Sequence, residues 1–169
     1  WGAFGTTGQR CTAASRVIAH RRIKQRLLST LVTRARMLRL GPGTKKTSDV
    51  GPLINKAALE KAERYVGIGL AEGARLLCGG KRPAGKGYFY KPTIFDGVKK
   101  DMRIAREEIF GPVLSVLEFD TLDEAIDLAN SVEYGLSSSI YTASVNNAFR
   151  AVERIQAGLT YVNSSTIGS

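Results

Sequence analysis

Two rhythms of apolar residues alternate along the 169-residue chain. Short runs at residues 16–20, 74–78, 88–95, 113–119, 137–141 and 159–163 read as strands, several bounded by glycine or proline. Between them the period lengthens. Leu27, Leu28, Leu31, Val32, Ala35 and Leu38 recur at three- and four-residue intervals and predict a helix over 23–40, stopped by Gly41-Pro42-Gly43. A second helix is predicted from an Asn55 N-cap to Glu72, with Gly73 at its end and Leu59, Ala62, Tyr65 and Val66 near one face. Residues 102–108 suggest a short helix. Thr121-Leu122-Asp123-Glu124 has the form of a capping box opening a third long helix to about Ser131, and 145–155 a fourth. Residues 45–52 and 79–85 read as loop and turn. Strands alternating with helices predict an α/β fold of three α/β/α layers, its mainly parallel sheet carrying helices on both faces. The length suits one domain with a real core, and no repeat or linker divides it.

Charge changes this picture less than its size suggests. The formal net charge is +10, which invites a nucleic-acid partner. The cations are dispersed, however, over Arg21, Arg22, Lys24, Arg26, Arg34, Arg36, Arg39, Lys45, Lys46, Lys99 and Lys100, without interleaved aromatics for stacking. They read as solvated helix faces and loops, so no nucleic acid is expected. No apolar run is long enough to cross a bilayer, and no membrane partner is expected. Two distant cysteines, Cys11 and Cys78, form no disulfide framework and suit a reducing cytoplasm. A single histidine and no CxxC leave too few ligands for zinc. The start of the chain has no secretory pattern and no Met, as expected of a piece of something longer.

Two strings carry candidate chemistry. In Gly8-Gln9-Arg10-Cys11-Thr12-Ala13-Ala14-Ser15-Arg16 a cysteine lies among small residues, after a turn-forming glycine and between arginines. Small neighbours give a substrate access to the sulfur, and nearby cations favour the thiolate that acts as nucleophile. The same string also suits a small buried cysteine. In Glu107-Glu108-Ile109-Phe110-Gly111-Pro112-Val113 two acids precede an aromatic and a forced bend into a strand. A carboxylate at a strand edge can accept hydrogen bonds from sugar hydroxyls while the phenyl ring packs on a heterocycle; the alternative is a helix end with surface acids and a core Phe. Gly79-Gly80-Lys81 lacks the spacing of a phosphate loop and reads as a turn. His20 and Cys78 read as strand residues without chemistry, and Lys61 as a solvated helix charge.

Taken together, these residues resemble the aldehyde dehydrogenase superfamily. The Cys11 string matches its nucleophile segment and Glu107 to Val113 its EEIFGPV segment. Gly51-Pro52-Leu53-Ile54, Glu72-Gly73-Ala74, Tyr90-Lys91-Pro92-Thr93-Ile94, Tyr134-Gly135-Leu136-Ser137-Ser138 and Ala157-Gly158 fall in the family's order, so the likeness covers essentially the whole chain. Gly5-Thr6-Thr7-Gly8 and Tyr65-Val66-Gly67-Ile68-Gly69 look most like the α-ketoglutaric semialdehyde (2,5-dioxovalerate) dehydrogenase branch.

The resemblance implies NAD- or NADP-dependent oxidation of an aldehyde, possible semialdehydes included, to a carboxylic acid. Cys11 would attack the carbonyl to give a thiohemiacetal and, after hydride transfer, a thioester that water hydrolyses. The Cys11 backbone N–H would supply part of an oxyanion hole. Glu108 would hold the nicotinamide-ribose hydroxyls, Phe110 would pack beside the nicotinamide, Lys61 would approach the same ribose, and Gln9 and Arg10 would line the pocket. The family's general-base Glu and oxyanion-hole Asn lie in upstream segments with no counterpart here. Its Rossmann-like cofactor domain and C-terminal oligomerisation strand are likewise unmatched. The chain is therefore expected to be a nucleophile-bearing fragment of the catalytic domain, inactive alone, from a homodimer or homotetramer. Two other readings stay open: a non-catalytic basic binding module, and a thiol hydrolase pairing Cys11 with His20.

Overall fold

Leu114 and Val116 face one way along the chain's longest strand, and Val113, Ser115 and Leu117 the other; every one of them is buried. A strand covered on both faces loses the polar half of its alternation, which is why 113–119 reads as a continuous apolar run. The computed structural model describes residues 1–166 and builds its layers around this strand. In chain order the elements are β1 (Arg16–His20), α1 (Arg21–Met37), α2 (Lys56–Ala71), β2 (Arg75–Cys78), β3 (Thr93–Asp96), α3 (Arg103–Arg106), β4 (Val113–Phe119), α4 (Leu122–Ala129), β5 (Ser137–Ile140), α5 (Val145–Arg154) and β6 (Leu159–Val162).

The main sheet has the order β1-β4-β3-β2. β1 and β3 run parallel to β4 on either side, and β2 is an antiparallel edge strand on β3. The β2–β3 connection contains no helix to carry the chain back across the sheet, so it returns antiparallel. The α/β/α layering holds, but the strands divide into two sheets: among the described residues β5 and β6 pair only with each other, in parallel, across α5. On one face, Leu28 and Ala35 of α1 pack with Phe4, Ala19, Val50, Ile94, Leu114 and Val116. On the other, Leu59, Ala62, Tyr65 and Val66 of α2 pack with Phe95, Ile104 of α3, Val113 and Leu117. Truncating a residue as central as Leu114 to Ala should cost about 2–5 kcal/mol.

Helix ends depart from expectation for identifiable reasons. α1 starts at Arg21 rather than Ile23, because His20 Nδ1 accepts the Arg22 N–H at 3.1 Å and caps the helix. It stops at Met37 because Leu38 is extended and Leu40 bridges Val50. Asn55 caps α2 as predicted, accepting the Ala58 N–H at 2.9 Å. At α4 Thr121 accepts the Glu124 N–H, but Glu124 reaches back one residue further than in a capping box, to the Asp120 N–H at 2.8 Å. The extended stretch expected over 88–95 is a strand only at Thr93–Asp96, and the helix expected over 102–108 is the single turn Arg103–Arg106. Lys24 is a correction to the solvated-cation reading. It is 8% exposed, with its Nζ 2.9 Å from Asp96 and 3.0 Å from Glu118.

Candidate active site

The first thirteen residues form a run of tight turns, with the Gly5 N–H donating to Trp1 O, Thr7 to Phe4, Gln9 to Thr6 and Ala13 to Arg10. Side chains lock this run onto the segment preceding α2. Thr7 Oγ1 donates to Gly51 O at 3.0 Å, Gln9 Oε1 accepts the Ile54 N–H at 2.9 Å, and Gln9 Nε2 donates to Pro52 O at 3.3 Å. Thr12 is buried, and its carbonyl accepts Thr166 Oγ1 at 2.8 Å. Gln9, expected to line a pocket, thus also holds the loop in place.

Gly8 brings this loop against the entry to β4. Its φ is +69°, and a Cβ placed there would lie 2.0 Å from the Gly111 carbonyl oxygen, so no larger residue fits. Thr7 (φ 58°) and Phe110 (φ 57°), one on each side of this contact, both have left-handed backbones. Such a conformation costs a non-glycine residue roughly 1–3 kcal/mol and is retained where surrounding structure enforces it, often at functional sites. Gly111 in turn packs toward Ala62 of α2, next to Lys61. The Cys11 loop, the start of α2 and the Glu108–Phe110 segment therefore meet at the amino ends of β1 and β4.

Cys11 is exposed, which removes the buried-cysteine alternative. Neither its thiol nor its backbone N–H has a hydrogen-bond partner among the described residues. Arg16, one of its two neighbouring arginines, is directed elsewhere: its guanidinium donates to Leu128 O at 2.8 Å and Ala129 O at 3.0 Å, at the carboxyl end of α4. Cys78 differs from Cys11. It is half-buried, its thiol donates to Pro92 O at 3.7 Å, and burial pushes its pKa up.

The two acids of the second string part company. Glu107 Oε2 accepts the Tyr65 phenol at 2.5 Å, and Arg103 donates to both Glu107 oxygens at 2.8 and 3.0 Å. The Arg103 guanidinium, then the phenol, hold the Glu107 pKa at about 2, and the Glu107 carboxylate raises that of Tyr65. Glu108 is exposed and has no partner among the described residues. Ile109 is buried and Phe110 is 42% exposed. Lys61 is half-buried, not a free surface charge, with its Nζ 5.9 Å from the Tyr65 ring centroid. Read from the residues alone, Tyr65 has only a core position and Glu107 is not distinguished from Glu108; the family resemblance singles out Glu108. The extended backbone of Glu107 supplies the missing signal, since successive side chains then alternate.

His20 closes β1 at the end remote from the Cys11 loop, where its Nδ1 accepts the Arg22 N–H and its ring packs edge-on against Phe119 at 5.2 Å. No hydrogen bond joins it to Cys11 among the described residues, and the Cys11–His20 dyad is not formed. Among the described residues no group of three or more His, Cys, Asp or Glu could hold a metal ion, and no helix is long and apolar enough to cross a membrane.

Comparison with known proteins identifies the family and the fold. The model of the aldehyde dehydrogenase family matches residues 1–169. A betaine aldehyde dehydrogenase of Brucella anthropi is 45% identical over 96% of this chain and 34% of its own length. An alpha-ketoglutarate semialdehyde dehydrogenase of Haloferax volcanii is 45% identical over 99% of this chain and 35% of its own. The crystal structure of an NAD-dependent aldehyde dehydrogenase from Sinorhizobium meliloti superimposes with a TM-score of 0.96 at 41% identity, covering 99% of this chain and 34% of that one. The chain thus spans about a third of the length of these relatives. The semialdehyde branch is among them, at the same identity as a betaine aldehyde enzyme.

Proposed function

The chain belongs to the aldehyde dehydrogenase family, and on that premise we propose that it carries the nucleophile and part of the nicotinamide site of an NAD(P)-dependent enzyme oxidising a small aldehyde to its carboxylic acid. The observation that carries this reading is the exposed Cys11, with its unpaired thiol and N–H, on a strained loop packed against the segment that presents Glu108 and Phe110.

Cys11 Sγ, as thiolate, forms a bond to the aldehyde carbon, and the carbonyl π pair moves onto oxygen. The Cys11 N–H is free to donate to that oxygen. When bound, the oxidised nicotinamide supplies the hydride acceptor for this carbon. Cys11 then holds the acyl group as a thioester, and water attack releases the acid and regenerates the thiolate. The residues present fit the cofactor. Glu108 offers an unpartnered carboxylate to ribose hydroxyls, the exposed Phe110 ring offers an apolar face to the nicotinamide, and Lys61 on α2 would approach the same ribose. Gln9 and Arg10 flank the nucleophile.

In this reading the 169 residues are part of one catalytic domain. The water-activating Glu, the Rossmann-like cofactor domain and the oligomerisation segment lie elsewhere in a cytoplasmic homodimer or homotetramer. The similarity to both semialdehyde and betaine aldehyde enzymes makes small polar aldehydes the substrates to try first. The purified chain alone should yield no NAD(P)H from such aldehydes, while iodoacetamide should alkylate Cys11 well ahead of Cys78. Turnover by the isolated chain, or equal labelling of both thiols, would contradict the reading.

A further inference from the structure

We infer that Tyr65, acting through Glu107, is a positioning residue that presents Glu108 to the cofactor; this rests on the reading of Glu108 as the ribose ligand. Residues 107–110 alternate between inward anchors and outward groups. Glu107 is clamped by Tyr65 and Arg103, Glu108 is exposed and unpartnered, Ile109 is buried, and Phe110 is exposed. Glu107 has the extended backbone (φ −101°, ψ 146°) that turns adjacent side chains to opposite sides. Fixing the Glu107 carboxylate therefore fixes the direction of the Glu108 carboxylate, although Glu108 itself has no hydrogen-bond or ion-pair partner among the described residues.

The clamp is tied to rigid elements at both ends. Tyr65 is buried in α2, one turn after Lys61, whose ammonium lies over the same ring. Arg103 opens α3, and its backbone N–H donates to Glu72 Oε2 at 2.9 Å, just beyond the end of α2. The guanidinium also lies 5.7 Å from the Tyr65 ring centroid. One phenol thus connects the helix bearing Lys61 with the segment bearing Glu108 and Phe110. Hydrogen bonds to a charged carboxylate are among the stronger ones, and a bidentate arginine also sets orientation. A ribose ligand held this way meets the cofactor without first losing side-chain freedom, which is where preorganisation raises affinity.

The test is a double-mutant cycle read by cofactor binding, not turnover, in the complete polypeptide to which this chain belongs. Titration calorimetry with NAD+ or NADP+, whichever the wild type binds, supplies the dissociation constants. Tyr65→Phe removes only the hydroxyl and keeps the ring beneath Lys61, and should weaken binding by about tenfold with the melting temperature nearly unchanged. Arg103→Gln, at a more exposed position, should act in the same direction. In a Glu108→Gln background, Tyr65→Phe should add no further weakening. Equal weakening in both backgrounds would overturn the proposal, showing that the phenol acts through the fold generally. Unchanged binding in Tyr65→Phe would overturn it as well. If Glu108→Gln alone binds like wild type, the ribose-ligand reading fails first and takes the clamp with it, an outcome distinct from either of the others.

Discussion

The two ends of the main sheet hold charged and reactive groups in opposite ways. At the carboxyl ends of β1, β3 and β4, Lys24 contacts Asp96 and Glu118, Arg75 also binds Asp96, and Arg21 bridges Glu118 and Asp120 at 3.0 and 2.6 Å. Each of these charges has a countercharge, and Asp96 is buried among them. At the amino ends, Cys11 and Glu108 have no partner among the described residues, and Thr7 and Phe110 are held in strained backbone. Open α/β sheets usually bind ligands beyond the carboxyl ends of their strands. Here Lys24 and Glu118, which line a groove at that end together with Lys99, Lys100 and Leu117, are already paired with each other. The unpartnered Cys11 and Glu108 lie at the opposite end. A charge-dense cluster thus serves stability in one place, while in the proposed reading the sparse unpaired groups serve chemistry in the other.

The strongest way to break this contrast is Cys11→Ala. In the complete polypeptide turnover should fall by about 10⁴-fold or more, as expected when a covalent nucleophile is lost, with melting temperature unchanged because the side chain is exposed. Retention of a tenth of the activity would show that the amino end is not the reacting end. Lys24→Met probes the other end and should do the reverse. It leaves Asp96 buried with only Arg75 as countercharge and should cost about 3 kcal/mol in denaturant unfolding, within the range for a broken buried pair. Cofactor affinity should not change. A loss of affinity would mean the two ends are coupled.

Most of the fold was legible because its signals are local. Asn55, Thr121 and the apolar stripes of α1 and α2 act over one or two turns, and helix identity followed from them. The division into two sheets was not legible, since β2 and β6 look alike as short apolar runs and their partners are set by connections and packing. At the site, the Cys11 and Glu108 strings stood out in sequence, and resemblance to a family gave them roles. What sequence could not show was that Gly8 meets Gly111, or that Glu107 is tied up while its neighbour is free. The first depends on a contact between residues far apart in sequence, and the second on the Tyr65–Glu107 bond across 42 positions as well as on the nearby Arg103. His20, a candidate base by composition, proved to be a helix cap at the wrong end of its strand.

Phe110→Gly separates stability from function at the amino end itself. Glycine adopts the left-handed backbone at φ 57° without the penalty a phenylalanine pays, which offsets the loss of the ring's buried part, the ring being 42% exposed. Stability should therefore change by no more than about 1–2 kcal/mol while cofactor binding weakens. A variant that loses stability and keeps its affinity would make Phe110 a packing residue.

The smallest effect, and a fine discriminator between the ends, is the response to acid. Glu107 has its pKa held at about 2 against an ordinary 4.5, by Arg103 first and Tyr65 second. A carboxyl group whose folded-state pKa is depressed contributes stability that is fully present above its unfolded value and is lost as pH falls through the folded value. The clamp should therefore be intact above pH 4.5 and loosen progressively toward pH 2. Because its carboxylate is solvent-accessible, the change should appear as local opening, in faster amide exchange at Glu108 and Ile109, rather than as global unfolding. Glu107→Gln should abolish the pH dependence of that exchange. Asp96 at the carboxyl end is also depressed, the opposing effect of its burial being outweighed by Lys24 and Arg75 together, and because it is buried its protonation should register in global unfolding instead. If exchange at Glu108 tracks global unfolding at every pH, the amino end has no independent clamp, and the contrast between the two ends reduces to one cooperative sheet.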